Sequence, residues 1–381
     1  MKTITATTTK MGAAAEAALR CPTVVRAVLQ RLPVEDLFQC ARYDDLWEHV
    51  ASTLLRRKLS FFALLQDGNV GMATSEERQL VAELRWRLGL VERACRRPAS
   101  AILFSCCDKS YEARAVASCF PDGTSVAQVD VLCPVHFQRR GIQERRAGRL
   151  CVLVLFERPG TEYQCEWLPC VGDHLVEDAE AASMASRDVA SLVNVKRRRC
   201  TCGPRKVTYR HPRTGQPTRF ALYASSVFNR RTFRRPPSLY HVPTCVLGTT
   251  RVRVLKHSTG SRYGVPICWG TTLFGSKTKA TSVKYRGSAT DVQVSRHLSG
   301  VRREFGSVRD SLVLLFQEDA LNAPATEVIW SVFRNAATVL GMAVNSLALD
   351  VNHVAFHLDP VSEAESSKCL ETPVVVAVLR I

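Results

Sequence analysis

A few groupings of residue types invite chemistry on first reading. The run Gly270-Thr271-Thr272-Leu273-Phe274-Gly275-Ser276-Lys277-Thr278 approaches a phosphate-cradling glycine loop, but one residue too many precedes the lysine and no strand pattern leads into it. Cys200 and Cys202 with His211 and His241 are zinc-ligand types, yet their spacing fits no common structural zinc pattern and their basic surroundings oppose a cation. His353 and His357 lie four apart inside Val351 to Leu358, which alternates as a strand does, so they read as ordinary strand residues. No Gly-x-Ser-x-Gly occurs, and nothing pairs a nucleophile with a base. The expectation is a chain without catalytic, cofactor-binding or metal-binding residues.

The stretch from Val24 to Lys58 packs three short helical signals and reads as a docking module. Val24, Val25, Val28, Leu29 and Leu32 fall at helical spacing, and Pro33, which has no N–H to donate, stops that helix. Val34-Glu35-Asp36 opens a second helix with acids where the helix dipole favours them, and that helix buries Leu37, Phe38, Cys40 and Ala41. The third starts at Asp44 or Asp45. It carries Leu46, Trp47, Val50, Ala51, Leu54 and Leu55 at three- and four-residue intervals and ends on Arg56, Arg57 and Lys58. A piece this small buries little surface by itself and should pack on a partner.

The whole chain has 381 residues and 46% hydrophobic content, enough for a sizeable core and for two or three domains. It has no run of 18 apolar residues and no apolar segment after Met1, which reads as soluble and intracellular, without a membrane partner. The 15 cysteines include no Cys-x-x-Cys, and Cys106, Cys107, Cys133 and Cys151 sit in apolar runs, so they read as buried free thiols.

The formal charge of +17 is concentrated in one place. Val189 to Thr290 contains 21 Lys or Arg and no Asp or Glu, while the rest of the chain has 31 basic against 35 acidic residues. Neither helical nor sustained strand periodicity shows there, and the stretch, taken as 189–300, reads as a disordered basic segment without a stable core. Three explanations stand: an arm gripping nucleic-acid phosphates, with Tyr209, Phe220, Tyr223 and Phe228 available for stacking; a disordered insertion with a nuclear address at Lys196 to Arg199; or a stretch foreign to the working protein, such as a retained intron.

On either side of that stretch lie what look like two halves of one α/β domain. Residues 76–188 hold a helix from Glu76 to Arg96, a strand from Ala101 to Cys106, a helix from Tyr111 to Cys119, and strands from Val126 to Cys133 and from Leu150 to Phe156. Residues 301–381 hold a strand from Ser311 to Phe316, a helix from Thr326 to Val339 and a strand from Met342 to Leu349. Val351 to Leu358 and Val374 to Ile381 read as a closing hairpin. The expected class is α+β: a helical module at 21–65 after a flexible 1–20, then a layered α/β domain with a mixed sheet, interrupted by the basic segment.

The run Val24 to Leu32, Pro33, Asp36-Leu37 and Cys40-Ala41-Arg42-Tyr43-Asp44-Asp45-Leu46-Trp47 resembles an F-box. It departs from that pattern at Tyr43-Asp44, where the family carries an apolar residue followed by Cys. With the Ile102-Leu103 strand, Cys119-Phe120-Pro121, Cys151 to Phe156, Val313-Leu314 and Val344 to Asp350, the chain resembles F-box proteins that carry a FIST sensory domain, interrupted by the basic block and with a shortened C-terminal half. The resemblance implies a non-catalytic substrate receptor of a Skp, cullin and F-box ubiquitin ligase. Such a subunit grips the Skp-type adaptor, here through Leu32, Pro33, Leu37, Phe38, Leu46 and Trp47, and through it the cullin scaffold, while its α/β domain holds a protein marked for proteasomal degradation. The expected location is cytoplasmic, with nuclear entry through the basic address as an option. A nucleic-acid-binding protein acting through the basic segment and a small-ligand sensory module are the alternatives.

Overall fold

The computed structural model describes residues 17–67, 73–106, 110–137, 145–168, 217–225, 243–249, 251–256, 268–285, 289–306, 308, 310–318, 321, 323–334, 336, 338–344, 346–350 and 373–381. The chain divides into two compact units, one of residues up to Leu59 with Trp86–Arg96, the other of Ser60–Arg85 with Arg97–Ile381. The candidate zinc residues Cys200, Cys202, His211 and His241, the pair His353 and His357, the flexible 1–20 apart from its last residues, and the Val351 to Leu358 strand lie outside the described residues.

The first unit is built from α1 (Pro22–Leu29), α2 (Val34–Cys40), α3 (Asp45–Lys58) and the second half of α4 (Ala73–Arg93). Pro22 starts α1 where its missing N–H costs nothing. Asp44 is the N-cap of α3, its Oδ1 accepting the Trp47 backbone N–H at 2.9 Å. The acid that departs from the F-box pattern is thereby accounted for by local helix chemistry. Lys58 then ties the end of α3 to the end of α1, its Nζ donating to the carbonyls of Gln30 at 2.6 Å and Leu32 at 3.0 Å.

These three helices do not stand alone, because residues from Trp86 onward complete their core. Arg87, only 3% exposed, donates to both carboxylate oxygens of Glu35 at 2.6 and 2.9 Å and lies 4.7 Å over the Phe38 ring. Trp86 meets Phe38 edge-on at 6.4 Å, and Arg42 covers the Trp86 ring at 4.2 Å. Arg96 Nε donates to the Arg56 carbonyl at 2.7 Å, satisfying one of the orphan acceptors at the end of α3.

The second unit holds β1 (Phe61–Asp67), the start of α4, β2 (Pro98–Ser105), α5 (Ser110–Ala117), β3 (Ser125–Asp130), β4 (Cys133–Phe137), β5 (Arg145–Phe156) and β6 (Thr161–Leu168). It continues through β7 (Thr218–Ser225), β8 (Thr244–Gly248), β9 (Val252–Lys256), β10 (Cys268–Gly275), β11 (Lys279–Tyr285) and α6 (Asp291–Phe305). The last elements are β12 (Ser311–Glu318), α7 (Ala323–Phe333), β13 (Thr338–Val344), β14 (Ser346–Asp350) and β15 (Val374–Arg380). Ten strands form one mixed sheet in the order β11-β15-β12-β13-β4-β5-β2-β3-β9, with β1 also on β5; five form a second, β14-β8-β7-β10-β6. Helices and mixed sheets together make the unit α+β, as expected from the sequence.

Two copies of one arrangement make up most of the large sheet. In the first, β1 pairs antiparallel with β5, β5 antiparallel with β2, and β2 parallel with β3 across α5. In the second, β11 pairs antiparallel with β15, β15 antiparallel with β12, and β12 parallel with β13 across α7. One core lies between the two sheets, with Phe104, Leu153 and Phe316 facing Phe220, Leu222 and Trp269. A second core lies between the second repeat and helices α6 and α7, around Val313, Leu315, Leu298, Ile329 and Phe333.

Several sequence expectations need correction here. The basic stretch is not without a stable core: its described residues form β7 to β11, and residues 291–305, counted with it, form α6 behind a Thr290–Gln293 capping box. The period of two is present but only in short runs. Phe220, Leu222 and Ala224, then Cys245 and Leu247, then Val252 and Val254 are all buried. The helix expected to reach Val339 ends at Phe333, and Val339 belongs to β13. The strand expected over Met342 to Leu349 is two strands in different sheets, β13 and β14. Val374 to Ile381 does form a strand, but β11 and β12 occupy both its edges, so no hairpin partner can add to it. Cys106 is exposed rather than buried, whereas burial is complete at Cys151 and pushes its thiol up to about 12.

Candidate docking surface

The helix periods decide which side chains of the first unit are available. Val25 and Leu29 of α1 are fully buried, whereas Val24 and Val28, one residue earlier on the same helix and one turn apart from each other, are 37% and 41% exposed. Tyr43, in the turn before α3, is 76% exposed, and its ring lies 5.5 Å from that of Trp47. Among the described residues the exposed large apolar side chains are these three and Leu132, so the first unit holds most of them.

The six residues expected from sequence divide into two sets. Leu32, Pro33, Leu46 and Trp47 are half-buried and retain surface. Leu37 and Phe38 are not: both have 0% exposure, and Phe38 is enclosed by Trp86 and Arg87. They are corrected from docking anchors to core. The physical reason is the fourth helical segment, which covers the face of α2 that a three-helix reading leaves open. Sequence reasoning misses Val24 and Val28 as surface because it puts Val24, Val25, Val28, Leu29 and Leu32 together on one face. A step of about 100° per residue sets Val24 and Val28 apart from Val25 and Leu29, and that signal was in the sequence.

The polar groups around this surface are mostly committed to holding the helices. Arg93 pairs with Glu48 at 2.8 Å, and Glu35 with Arg87 at 2.6 Å. The Cys21 thiol, at the N-cap of α1, is held below its ordinary pKa by the backbone N–H of Val24 and then of Thr23. Cys40 moves the other way through burial, with the Asp36 charge adding to it. Among the described residues no three His, Cys, Asp or Glu side chains gather into a metal-ligand group, and no helix is long and apolar enough to cross a membrane. The glycine run at 270–278 is strand β10 followed by the short crossing into β11, not a loop leading into a helix. The arrangement is suited to contact, with apolar side chains presented on short, capped helices. No protein-family model matches the chain, and no curated protein matches it.

Proposed function

We propose that this chain is the substrate-receptor subunit of a Skp–cullin–F-box ubiquitin ligase. It docks on a Skp-type adaptor, and through it on the cullin scaffold, by the exposed side chains of Val24, Val28 and Tyr43 and the half-buried Leu32, Pro33, Leu46 and Trp47. Its work is positioning: a target held by the sheet unit is kept at high effective concentration near a charged conjugating enzyme, without catalysis by this chain. The observation that carries the reading is the concentration of exposed apolar side chains on a helical unit whose first helix break falls at Pro33, as in the F-box-like pattern; Asp44, where the sequence departs from that pattern, serves as the N-cap of α3. The phosphate-gripping alternative draws less support, because Arg219, Arg253 and Lys256 of the basic stretch donate to Gly275, Gln128 and Phe120 within the protein.

Co-purification of a Skp-type adaptor with the full chain tests the reading. Val24→Asp with Val28→Asp should abolish retention while the thermal transition stays where it was, since neither residue is in the core. Leu37→Asp should instead abolish folding of the helical unit. Retention of adaptor by the folded Val24→Asp/Val28→Asp variant, or absence of adaptor from the folded wild-type chain, sinks the proposal.

A further inference from the structure

The corner between α1 and α2 does not hold itself. Pro33 stands at the N-cap of α2 and has no side chain that can accept from the helix, whereas Asp44 does so at the start of α3. Gln30 and Leu32 follow the last residue of α1, where carbonyls find no helical N–H to accept. The helices on either side have eight and seven residues, lengths that are marginal without tertiary support.

Two cations from later in the chain supply what the corner lacks. Before Pro33, the Lys58 ammonium at the end of α3 donates to the Gln30 and Leu32 carbonyls at 2.6 and 3.0 Å. After Pro33, the Arg87 guanidinium of α4 donates to both carboxylate oxygens of Glu35, in the first turn of α2, at 2.9 and 2.6 Å. Each tie consists of two charge-assisted bonds, which fix direction as well as distance. The segment between the ties carries the half-buried Leu32 and Pro33, and Val28, 41% exposed, precedes it by less than one helical turn. Lys58 makes its tie outside the apolar core, so its loss should loosen the corner without opening the unit. Arg87 also covers the Phe38 ring, so its loss should do both.

We propose that Lys58 and Arg87 are positioning residues for docking. They clamp the α1–α2 corner from both sides of Pro33 in the conformation that presents Val28, Leu32 and Pro33, so that the partner need not order this segment on binding. The inference rests on the adaptor-docking reading and adds to it two residues that touch no adaptor and set how tightly it is held.

Hydrogen exchange of the full chain, paired with its affinity for a purified Skp-type adaptor, tests the clamp. Lys58→Met keeps the length of the side chain and removes its donors. It should speed exchange at the corner and in α2, leave the middle of α3 protected, and weaken adaptor binding by about tenfold, as expected for hydrogen bonds from a charged group. Lys58→Arg, which retains donors, should restore both readouts, whereas a lysine serving stability alone would release α2 and α3 together. Arg87→Met should repeat the Lys58→Met pattern with a lower thermal transition. The proposal is overturned if Lys58→Met leaves exchange at the corner unchanged, if it speeds exchange equally in α3, or if it loosens the corner with adaptor affinity intact. A folded wild-type chain that binds no adaptor overturns the docking reading and the docking role of the clamp together; a wild-type chain that binds, with no exchange contrast in Lys58→Met, overturns the clamp alone.

Discussion

The two repeats of the large sheet share a topology and differ in what completes them. The parallel pair of the first repeat ends at β3, and the strand laid along its outer edge is β9, from the basic stretch. The parallel pair of the second ends at β13, and its outer edge is covered by β4, which belongs to the first repeat's own run of chain. Each repeat thus takes its finishing strand from elsewhere. The second depends on the first, and the first depends on a segment whose composition suggests it is dispensable. Similar local patterns do not make independent folding units when the closing hydrogen bonds come from distant chain.

The largest effect should come from removing 189–290, which deletes β7 to β11 and with them both edges of the large sheet and most of the small one. The loss exceeds a typical total stability of about 5–15 kcal/mol, so circular dichroism should show no cooperative transition of the sheet unit. A protein that still melts cooperatively would mean that the repeats need no help from the basic stretch.

Phe104 and Phe316, on β2 and β12, are fully buried in the same core between the sheets. Phe104→Ala and Phe316→Ala should each cost about 3–5 kcal/mol in denaturant unfolding, with one transition in both cases. Two separated transitions would show that the repeats fold apart. Gly275 marks the crossing from the small sheet into β11, and a Cβ there would lie 2.6 Å from Thr278 Oγ1 and 2.8 Å from the Gly160 carbonyl. Gly275→Ala should lower stability by about 1–3 kcal/mol, a shift in the urea midpoint being the readout.

The smallest effect is electrostatic and should distinguish the repeats by pH. Near the end of β11, the Tyr285 hydroxyl meets His297 Nδ1 on α6 at 2.7 Å, whereas Gln66, near the end of β1 in the first repeat, has an Oε1 without a partner. Burial holds the His297 imidazole below its usual pKa, with the Glu304 charge opposing. The unfolded chain therefore binds this proton more readily. The contribution is complete above an ordinary histidine pKa of about 6.5 and is lost as pH falls through that value towards the lower folded one. His297→Gln should flatten the stability profile in that window; an unchanged slope would assign the pH dependence to other groups.

Much of the first unit was legible in its sequence because helix periods, Pro33 and the acids at helix starts act locally. The role of Leu37 and Phe38 was not, since it depends on Trp86 and Arg87, which lie some fifty residues further on. The second unit shows the same division. Val313 to Phe316 announces a buried strand by composition alone, while β7 to β11 alternate for only five to eight residues among many Lys and Arg. Their strand character is set by pairing with distant partners, which no local window contains.

The β3–β9 pairing also has a consequence for synthesis. Asp130 leaves the ribosome well before Lys256, and at roughly 5–20 residues per second the outer edge of β3 waits on the order of ten seconds for its partner. During that interval a buried-type strand, Ser125–Asp130, presents an open row of backbone donors and acceptors beside apolar Val126 and Val129. The nascent chain thus passes through a stage in which chaperone protection has a defined target, and that stage ends only when translation reaches the middle of the basic stretch.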